Sequence, residues 1–273
     1  MPRTRMLPAL LALALSLCLV SSAEARKWRW WKFSGIIDGL IASCQLQAAE
    51  FQNFPFAAIT DVVSPDDAQR SALEALRASA AAAAERLSAE CPREEQAPPS
   101  AKLEAAEQAI DTTTSSFAVV EPSLRAFYAA LDDEKKARLL REFWEGESRG
   151  QRAERRKYSG VTRGREIDFW AGVCENLASA LRGWPIREIE RGVRLSEPQR
   201  VALHELVTTS LKTADTLAGA CPAETALTPV GRMKMMQARL SAVRQAITDT
   251  RPAFTHFYEA LDQGQKVRFA AIH

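Results

Sequence analysis

The strongest constraint on the fold is an internal repeat. The chain matches itself at an offset of 130 residues, without a gap, over about 105 positions. The matched residues are mostly apolar residues, prolines and cysteines, which determine packing and chain direction. The clearest matches are Cys44 with Cys174, Pro55 with Pro185, Gln69-Arg70 with Gln199-Arg200, Leu73 with Leu203, Cys91-Pro92 with Cys221-Pro222, Pro99 with Pro229, Pro122 with Pro252, and Phe127-Tyr128 with Phe257-Tyr258. An ungapped register of this length predicts two homologous units produced by duplication.

The composition favours helices and argues against several classes of function. Of 273 residues only 12 are glycine and 13 are proline, while alanine is abundant, which is typical of helices rather than of a β-sandwich. The sequence has no glycine-rich phosphate loop, no nucleophile elbow and no metalloprotease motif. Its histidines, His204, His256 and His273, are too scattered to indicate a metal or catalytic centre. We therefore expect an all-α protein that is not an enzyme and has no cofactor or metal.

The first 25 residues have the pattern of an export signal. Arg3 and Arg5 precede an uncharged apolar run at 7–20, and Ala23-Glu24-Ala25 has the small-x-small pattern of a signal-peptidase site. The run of about 14 residues is shorter than the roughly 20 that span a bilayer, so a retained anchor is the less favoured alternative. We predict cleavage after Ala25. The Arg-rich and Ala-rich composition suggests a bacterium with high GC content, which makes the periplasm the expected location.

Each unit is predicted to contain four helices, so the fold class is all-α, with two tandem homologous four-helix units built from helical hairpins with kinked long helices. The predicted divisions are a signal peptide at 1–25, a basic and aromatic segment at 26–36, unit one at 37–145, a basic linker at 146–165, and unit two at 166–273. The helices of unit one are expected at 37–52 with a continuation to 63, at 67–90, at 99–131 with a kink at Pro122, and from 133 onward. In unit two the corresponding helices open at Ser196, Thr228-Pro229 and Asp262.

The most informative short motif is Leu195-Ser196-Glu197-Pro198-Gln199, which has the pattern of a capping box. In a capping box the first side chain accepts a hydrogen bond from the backbone three residues later, and the later side chain returns to the first backbone N–H. The pattern recurs at Asp66 and Gln69 and again at Asp262 and Gln265. Because this geometry requires only well-started helices, we interpret these residues as structural and not as a binding site.

At these residues the sequence resembles the LTxxQ-motif family of bacterial periplasmic proteins, which includes the Spy and CpxP chaperone and stress proteins. Leu195-Ser196-x-x-Gln199 is a near match with Ser for Thr, and Leu261-Asp262-x-x-Gln265 is looser. Thr228-Pro229-x-Gly231-Arg232 and Arg251-Pro252…Phe257-Tyr258 are similar to the alphaproteobacterial branch. Unit one shares the resemblance mainly through the repeat, since Pro65-Asp66-Asp67-Ala68-Gln69 lacks the leading Leu and the hydroxyl. The resemblance implies an ATP-independent periplasmic chaperone or envelope-stress protein.

Four cysteines remain after the signal, an even number that indicates disulfides in an exported protein. They lie at matching places in the two units, 47 residues apart in each. The duplication favours the pairs Cys44–Cys91 and Cys174–Cys221, although two other connectivities are possible. Each pair would contribute about 4 kcal/mol in the chain-entropy model. A zinc site is the less favoured alternative, because close Cys-x-x-Cys spacing and a nearby histidine are lacking.

One apolar stripe runs along the third helix of unit two. Its residues recur at intervals of three and four and are Met233, Met236, Leu240, Val243 and Ile247. A weaker stripe occupies the same steps in unit one, from Leu103 to Phe117. Such stripes are usually core or a seam between helices, and the alternative is an exposed surface that binds unfolded clients. Both interpretations remain open from the sequence.

Charge is distributed unevenly along the chain. Unit one carries 10 basic and 19 acidic residues at 37–145, whereas the linker carries seven basic and two acidic residues. The segment Arg26-Lys27-Trp28-Arg29-Trp30-Trp31-Lys32 alternates cations with aromatic rings, a pattern that an anionic membrane surface attracts. The alternative is a solvated terminus whose tryptophans pack on the bundle. We interpret the linker as a hinge and expect no nucleic-acid partner, since export separates the chain from nucleic acid.

These features predict a protein that works by binding and not by catalysis. The leading hypothesis is a periplasmic chaperone or stress protein whose two units act as a pseudo-dimer. It would hold unfolded or partner proteins by weak apolar and electrostatic contacts along helix faces. The alternative is a regulatory or structural adaptor of the envelope with the apolar stripes buried. A third, less favoured hypothesis is metal sensing through carboxylates and histidines.

Overall fold

The computed structural model describes residues 33–93, 98–142, 163–222 and 226–272, with the backbone alone at 163–171. Within these ranges every regular element is a helix and no strand occurs, which confirms the predicted all-α class. In chain order the helices are α1 (33–52), α2 (Phe56–Val63), α3 (Asp67–Glu90), α4 (Pro99–Ala130), α5 (Asp133–Leu140), α6 (Arg163–Arg182), α7 (Ile186–Val193), α8 (Glu197–Ala220), α9 (Pro229–Glu259) and α10 (Gln263–Ala270). Helices α1–α5 belong to unit one and α6–α10 to unit two. Helix α6 begins inside the segment that the sequence predicts as linker.

The helices begin and end at local signals. Asp66 caps α3 through a hydrogen bond from the Gln69 backbone, and α3 ends where Cys91 precedes a proline. Helix α9 opens with the Thr228 hydroxyl accepting a hydrogen bond from the Gly231 N–H at 3.1 Å, and a proline follows at its first position. The long helices α4 and α9 each contain one interior proline, Pro122 and Pro252, which removes a backbone donor from the helix.

Each unit is organised around a hairpin of long helices. Helix α3 packs against α4 in unit one, and α8 packs against α9 in unit two. The short last helix packs against the short continuation helix, α5 on α2 and α10 on α7. In unit one the hairpin and the short helices enclose an apolar cluster of Ile59, Val63, Leu73, Leu76, Ala83, Val120, Phe127, Leu131 and Leu139.

The two units share one core, a contact that the prediction of two tandem homologous units did not specify. The long helices α4 and α9 pack on each other, and the largest apolar cluster contains residues of α1 and α4 together with most of unit two. At one end of this core Phe33 of α1 contacts Trp184 of unit two, with ring centroids 5.8 Å apart. The repeat predicts that the units resemble each other, and it does not reveal that their helix hairpins bury a face between them.

None of the helices in the described ranges is both long enough and apolar enough to cross a membrane.

Candidate functional site

The predicted capping residues of unit two form a network that joins two helix starts. The Gln199 side chain accepts a hydrogen bond from the Ser196 backbone N–H at 2.8 Å and donates one to the Ala260 carbonyl at 2.7 Å. Gln265 caps α10 in the same manner by accepting from the Asp262 N–H at 2.9 Å. The two glutamine amides also exchange hydrogen bonds of 2.7 and 2.9 Å. We call this reciprocal pair the glutamine clasp.

Unit one has the corresponding network with a lysine in place of the second glutamine. Gln69 accepts from the Asp66 N–H at 3.2 Å and donates to the Ala130 carbonyl at 2.9 Å. The Lys135 ammonium donates to the Gln69 carbonyl oxygen at 2.6 Å and to the Ser64 carbonyl at 3.1 Å. A cation near the end of α2 interacts favourably with the unpaired carbonyls there. The two units therefore hold the equivalent turn, between the short helix and the next long helix, with different side chains.

Both networks hold a strained residue at the end of a short helix. Ser64 ends α2 with φ 47°, and Arg194 ends α7 with φ 60°, in the left-handed region that residues other than glycine seldom adopt. Lys135 binds the Ser64 carbonyl, and Gln265 binds the Arg194 carbonyl at 3.2 Å. The networks thus fix the turn between each short helix and the long helix that follows.

The side chains of the two networks bind the protein's own groups. The glutamine amides use their donors and acceptors on backbone groups and on each other, and Gln69 and Gln265 are buried. In both networks the residue before the capping residue of the long helix is also buried: it is Pro65 in unit one and Leu195 in unit two. Among the described residues, no group of three or more His, Cys, Asp or Glu is placed to hold a metal ion.

The cysteines are bonded within each unit. Cys44 is bonded to Cys91 with Cα atoms 5.8 Å apart, and Cys174 is bonded to Cys221 with Cα atoms 6.3 Å apart. Each disulfide joins the first helix of its unit to the residue that ends the first long helix of the hairpin, α3 or α8. The first disulfide lies in an apolar cluster with Ala48, Leu87 and Ala109, and the Gln45 side chain donates to the Cys91 carbonyl at 3.2 Å.

The apolar stripe of α9 does not form an exposed client surface, and that interpretation is corrected here. Leu240, Val243 and Ile247 are buried, and Met233 and Met236 are half-buried against the shared core. The stripe lies where α9 packs on α4 and α8, because burial of both long apolar faces removes more apolar surface from water than exposure of either. The core interpretation that the sequence left open is therefore the one that the structure shows.

The contact between α4 and α9, which we call the seam, contains charged groups that sequence reasoning missed. The Arg244 guanidinium donates to both carboxylate oxygens of Asp111, and the Nη2–Oδ2 distance is 3.0 Å. The Asp111 carboxylate raises the pKa of Arg244 through this hydrogen bond and its charge. Glu107, only 9% exposed, accepts from the Thr248 hydroxyl at 2.8 Å and lies 3.3 Å from the Arg251 Nε. The sequence did contain one signal for this contact: the apolar stripes of α4 and α9 occupy equivalent positions in the two repeats.

Several large apolar side chains remain on outer surfaces. In unit two Val201, Leu227 and Val267 are 60%, 78% and 70% exposed. Val201 and Val267 each lie two residues after a clasp glutamine, so both are near the starts of α8 and α10. The other large apolar side chains that are exposed in the described ranges are Leu46, Phe54, Val119 and Leu211.

Two of the predicted histidines, His204 in α8 and His256 in α9, lie on the surface of unit two. His204 is 3.7 Å from Glu190, and His256 is 3.5 Å from Glu205.

The signal peptide, the basic and aromatic segment Arg26–Lys32 and most of the linker lie outside the described residues. The predictions about export, membrane contact and the hinge therefore stay predictions.

Comparison with known proteins identifies a family. The family model described as LTXXQ motif family protein matches residues 51–142 and again 181–273. No curated protein and no solved structure matches the chain. The two matched regions correspond to the two units and together cover more than half of the chain, so they confirm both the resemblance and the duplication. The chain belongs to the LTXXQ motif family, in which it is a tandem pair of family units.

Proposed function

We propose that this protein is an exported, ATP-independent binding protein of the chaperone or envelope-stress type, which holds unfolded proteins in the periplasm. The observation that carries the proposal is the family match in both units. An export signal and a compact helical framework stapled by two disulfides are consistent with life in an oxidising compartment. The protein binds other proteins and does not transform them.

Because the α9 stripe is buried, the proposal assigns client binding to the outer helix faces. There the exposed apolar side chains are single residues among charges, as at Val201, which lies between the Arg200–Glu197 ion pair and His204. Such a surface suits weak and reversible contact, because each exposed apolar side chain contributes little and the surrounding charges stay hydrated. Since the sequence has no nucleotide motif, clients leave as they fold and bury their own apolar residues.

The test is suppression of aggregation without ATP. A model substrate denatured in guanidinium is diluted into buffer with this protein at several-fold molar excess, and light scattering is followed. A chemical denaturant is preferred to a reductant, which would also attack the disulfides of the protein itself. We expect less scattering in the presence of the protein, and unchanged scattering would refute the proposal.

A variant templated on unit one locates the client surface. In the repeat, Ser71 is the equivalent of Val201 and Ala137 is the equivalent of Val267. V201S/V267A therefore gives unit two the side chains of unit one at these two positions. Because both valines are exposed, stability stays unchanged while a higher molar ratio is needed to suppress aggregation. T208S, an exposed and conservative change on the same helix, is the matched control and retains full activity.

A second candidate function is favoured by the burial of the stripe. With the α9 stripe covered, the protein has the closed form expected of a regulatory or structural adaptor that docks through charge. A labelled, permanently unfolded protein separates the two candidates: a client-binding protein raises its fluorescence anisotropy, whereas a closed adaptor leaves it unchanged.

A further inference from the structure

The seam has the geometry of an internal two-fold axis. Asp111 of α4 contacts Arg244 of α9, and Glu107, one turn earlier in α4, contacts Thr248, one turn later in α9. Lower numbers in one helix thus pair with higher numbers in the other, so the helices run antiparallel. Because the repeat relates α4 to α9 by 130 residues, each contact on one side of the axis has an equivalent pair of positions on the other side. The equivalent of Asp111 with Arg244 is Ser241 with Thr114, and the equivalent of Glu107 with Thr248 and Arg251 is Gln237 with Ala118 and Glu121.

The two sides of this axis carry different chemistry. One side has two carboxylates of unit one against two guanidinium groups of unit two, at Asp111–Arg244 and Glu107–Arg251. The other side has uncharged Ser241 and Thr114, whose exposures match those of their repeat partners. Its carboxylate, Glu121, pairs with Arg125 of its own helix and not with unit two. Two copies of one unit could not reproduce this arrangement, since identical units would carry identical groups on both sides.

We infer that the seam carries a one-sided charge pattern that makes α4 of unit one complementary to α9 of unit two and not to a second copy of itself. The partner that this surface fits is therefore the other unit of the chain, and the chain is a monomer that contains its own dimer interface. The inference goes beyond the proposed function, because it concerns which helices pair and not which clients bind.

Pairing of like units would leave charges without partners. In a pair of two unit-one copies with the same geometry, Asp111 would face Thr114 and Glu107 would face Glu121, a carboxylate opposite a carboxylate. In a pair of two unit-two copies, Arg251 would face Gln237. The cost is largest at Glu107, because its side chain is nearly buried and a buried carboxylate without a hydrogen-bond or charge partner is strongly unfavourable.

A recoded seam tests the inference in the full chain. The triple variant T114R/S241R/R244D places like charges opposite each other within one chain and opposite charges between equivalent units of two chains. The control T114R/S241D keeps opposite charges within one chain. Both variants leave the net charge of the protein unchanged. Molar mass is measured by light scattering after size-exclusion chromatography over a range of protein concentrations.

We expect the wild type and T114R/S241D to have the monomer mass at all concentrations, and the triple variant to double its mass as concentration rises. Because Glu107 and Glu121 are unchanged in the triple variant, its unfolding midpoint is measured as well. A triple variant that stays monomeric and keeps the midpoint of the wild type, or a control that also dimerises, overturns the inference. If the triple variant does not fold, the single variants D111R and R244D are compared with D111R/R244D by thermal unfolding. The double variant D111R/R244D restores an opposite-charge pair, so it is expected to recover most of the loss in unfolding midpoint that each single variant causes. Additive losses in the double variant overturn the inference.

Discussion

At the scale of single residues, the duplication lets each unit serve as a reference for the other. Ser210 and Thr250 lie in the core of unit two, and neither hydroxyl has a hydrogen-bond partner. The same positions of unit one hold Ala80 and Val120, which are also buried. A buried hydroxyl without a partner loses its hydrogen bonds to water on folding and gains none in return. Nothing in the unit-one environment argues for a polar group at either position.

We therefore expect S210A and T250V to raise the free energy of unfolding, each by about 1 kcal/mol, because each removes an unsatisfied hydroxyl at nearly constant volume. Guanidinium denaturation followed by circular dichroism measures the change. Thr113 provides the control: its buried hydroxyl donates to the Ala109 carbonyl at 2.8 Å, so T113V is expected to lower stability. A loss of stability in S210A and T250V contradicts the prediction.

The glutamine clasp is the second prediction at this scale. Q199A removes an acceptor for the Ser196 N–H and a donor to the Ala260 carbonyl, and it leaves Gln265 with one partner fewer. We expect a loss of about 2 kcal/mol in the free energy of unfolding, since several groups lose partners together. K135Q gives unit one the clasp of unit two and is expected to change stability much less. Equal losses in the two variants would show that the network is not interchangeable.

The capping residues themselves could be predicted from the sequence, and the clasp could not. A capping box is local, because its two residues are three positions apart, as Asp66 and Gln69 are. A hydroxyl or carboxylate side chain at the first position indicates the helix start. The contact of Gln199 with Gln265 joins residues 66 positions apart. It depends on how α10 packs against α7, which no local pattern encodes.

At the scale of helices, the sequence predicts where each helix begins and ends, but it does not predict which helices pack against each other. The starts of α3 and α9 and the end of α3 at Cys91 were predicted to the residue, because capping side chains and prolines act on the adjacent backbone. The α9 stripe illustrates the opposite case. Its period identifies one apolar face, and only the packing of α4 and α8 determines that this face is covered.

The segment that precedes α1 gives a prediction at the same scale. We predict that residues 26–32 bind anionic membranes, because their four cations attract phosphate groups and their tryptophans favour the interface. Flotation with vesicles containing an anionic lipid should recover the mature protein, and W28S/W30S/W31S should reduce the recovered fraction. Vesicles of neutral lipid are the control. Unchanged flotation of the triple variant contradicts the prediction and favours the alternative that the tryptophans pack on the protein.

At the scale of the whole molecule, duplication has produced one cooperative body rather than two domains in series. The shared core includes α1 and α4 of unit one with all five helices of unit two, α6 to α10. Separation of the units would expose this apolar surface and leave Glu107 without Thr248 and Arg251. The sequence could not supply this result, because the repeat describes each unit and carries no information about the contact between them.

We therefore expect the chain to unfold in a single transition despite its two homologous units. Calorimetry should give equal calorimetric and van't Hoff enthalpies, because neither unit retains a complete core once the other has unfolded. E107A removes the nearly buried carboxylate from the seam and is expected to lower the midpoint, while E104A on the same helix, at a carboxylate outside the seam contacts, leaves it nearly unchanged. Two resolved transitions in the wild type would mean that each unit is stabilised by its own core and disulfide, and that the apolar contact between α4 and α9 contributes little to folding.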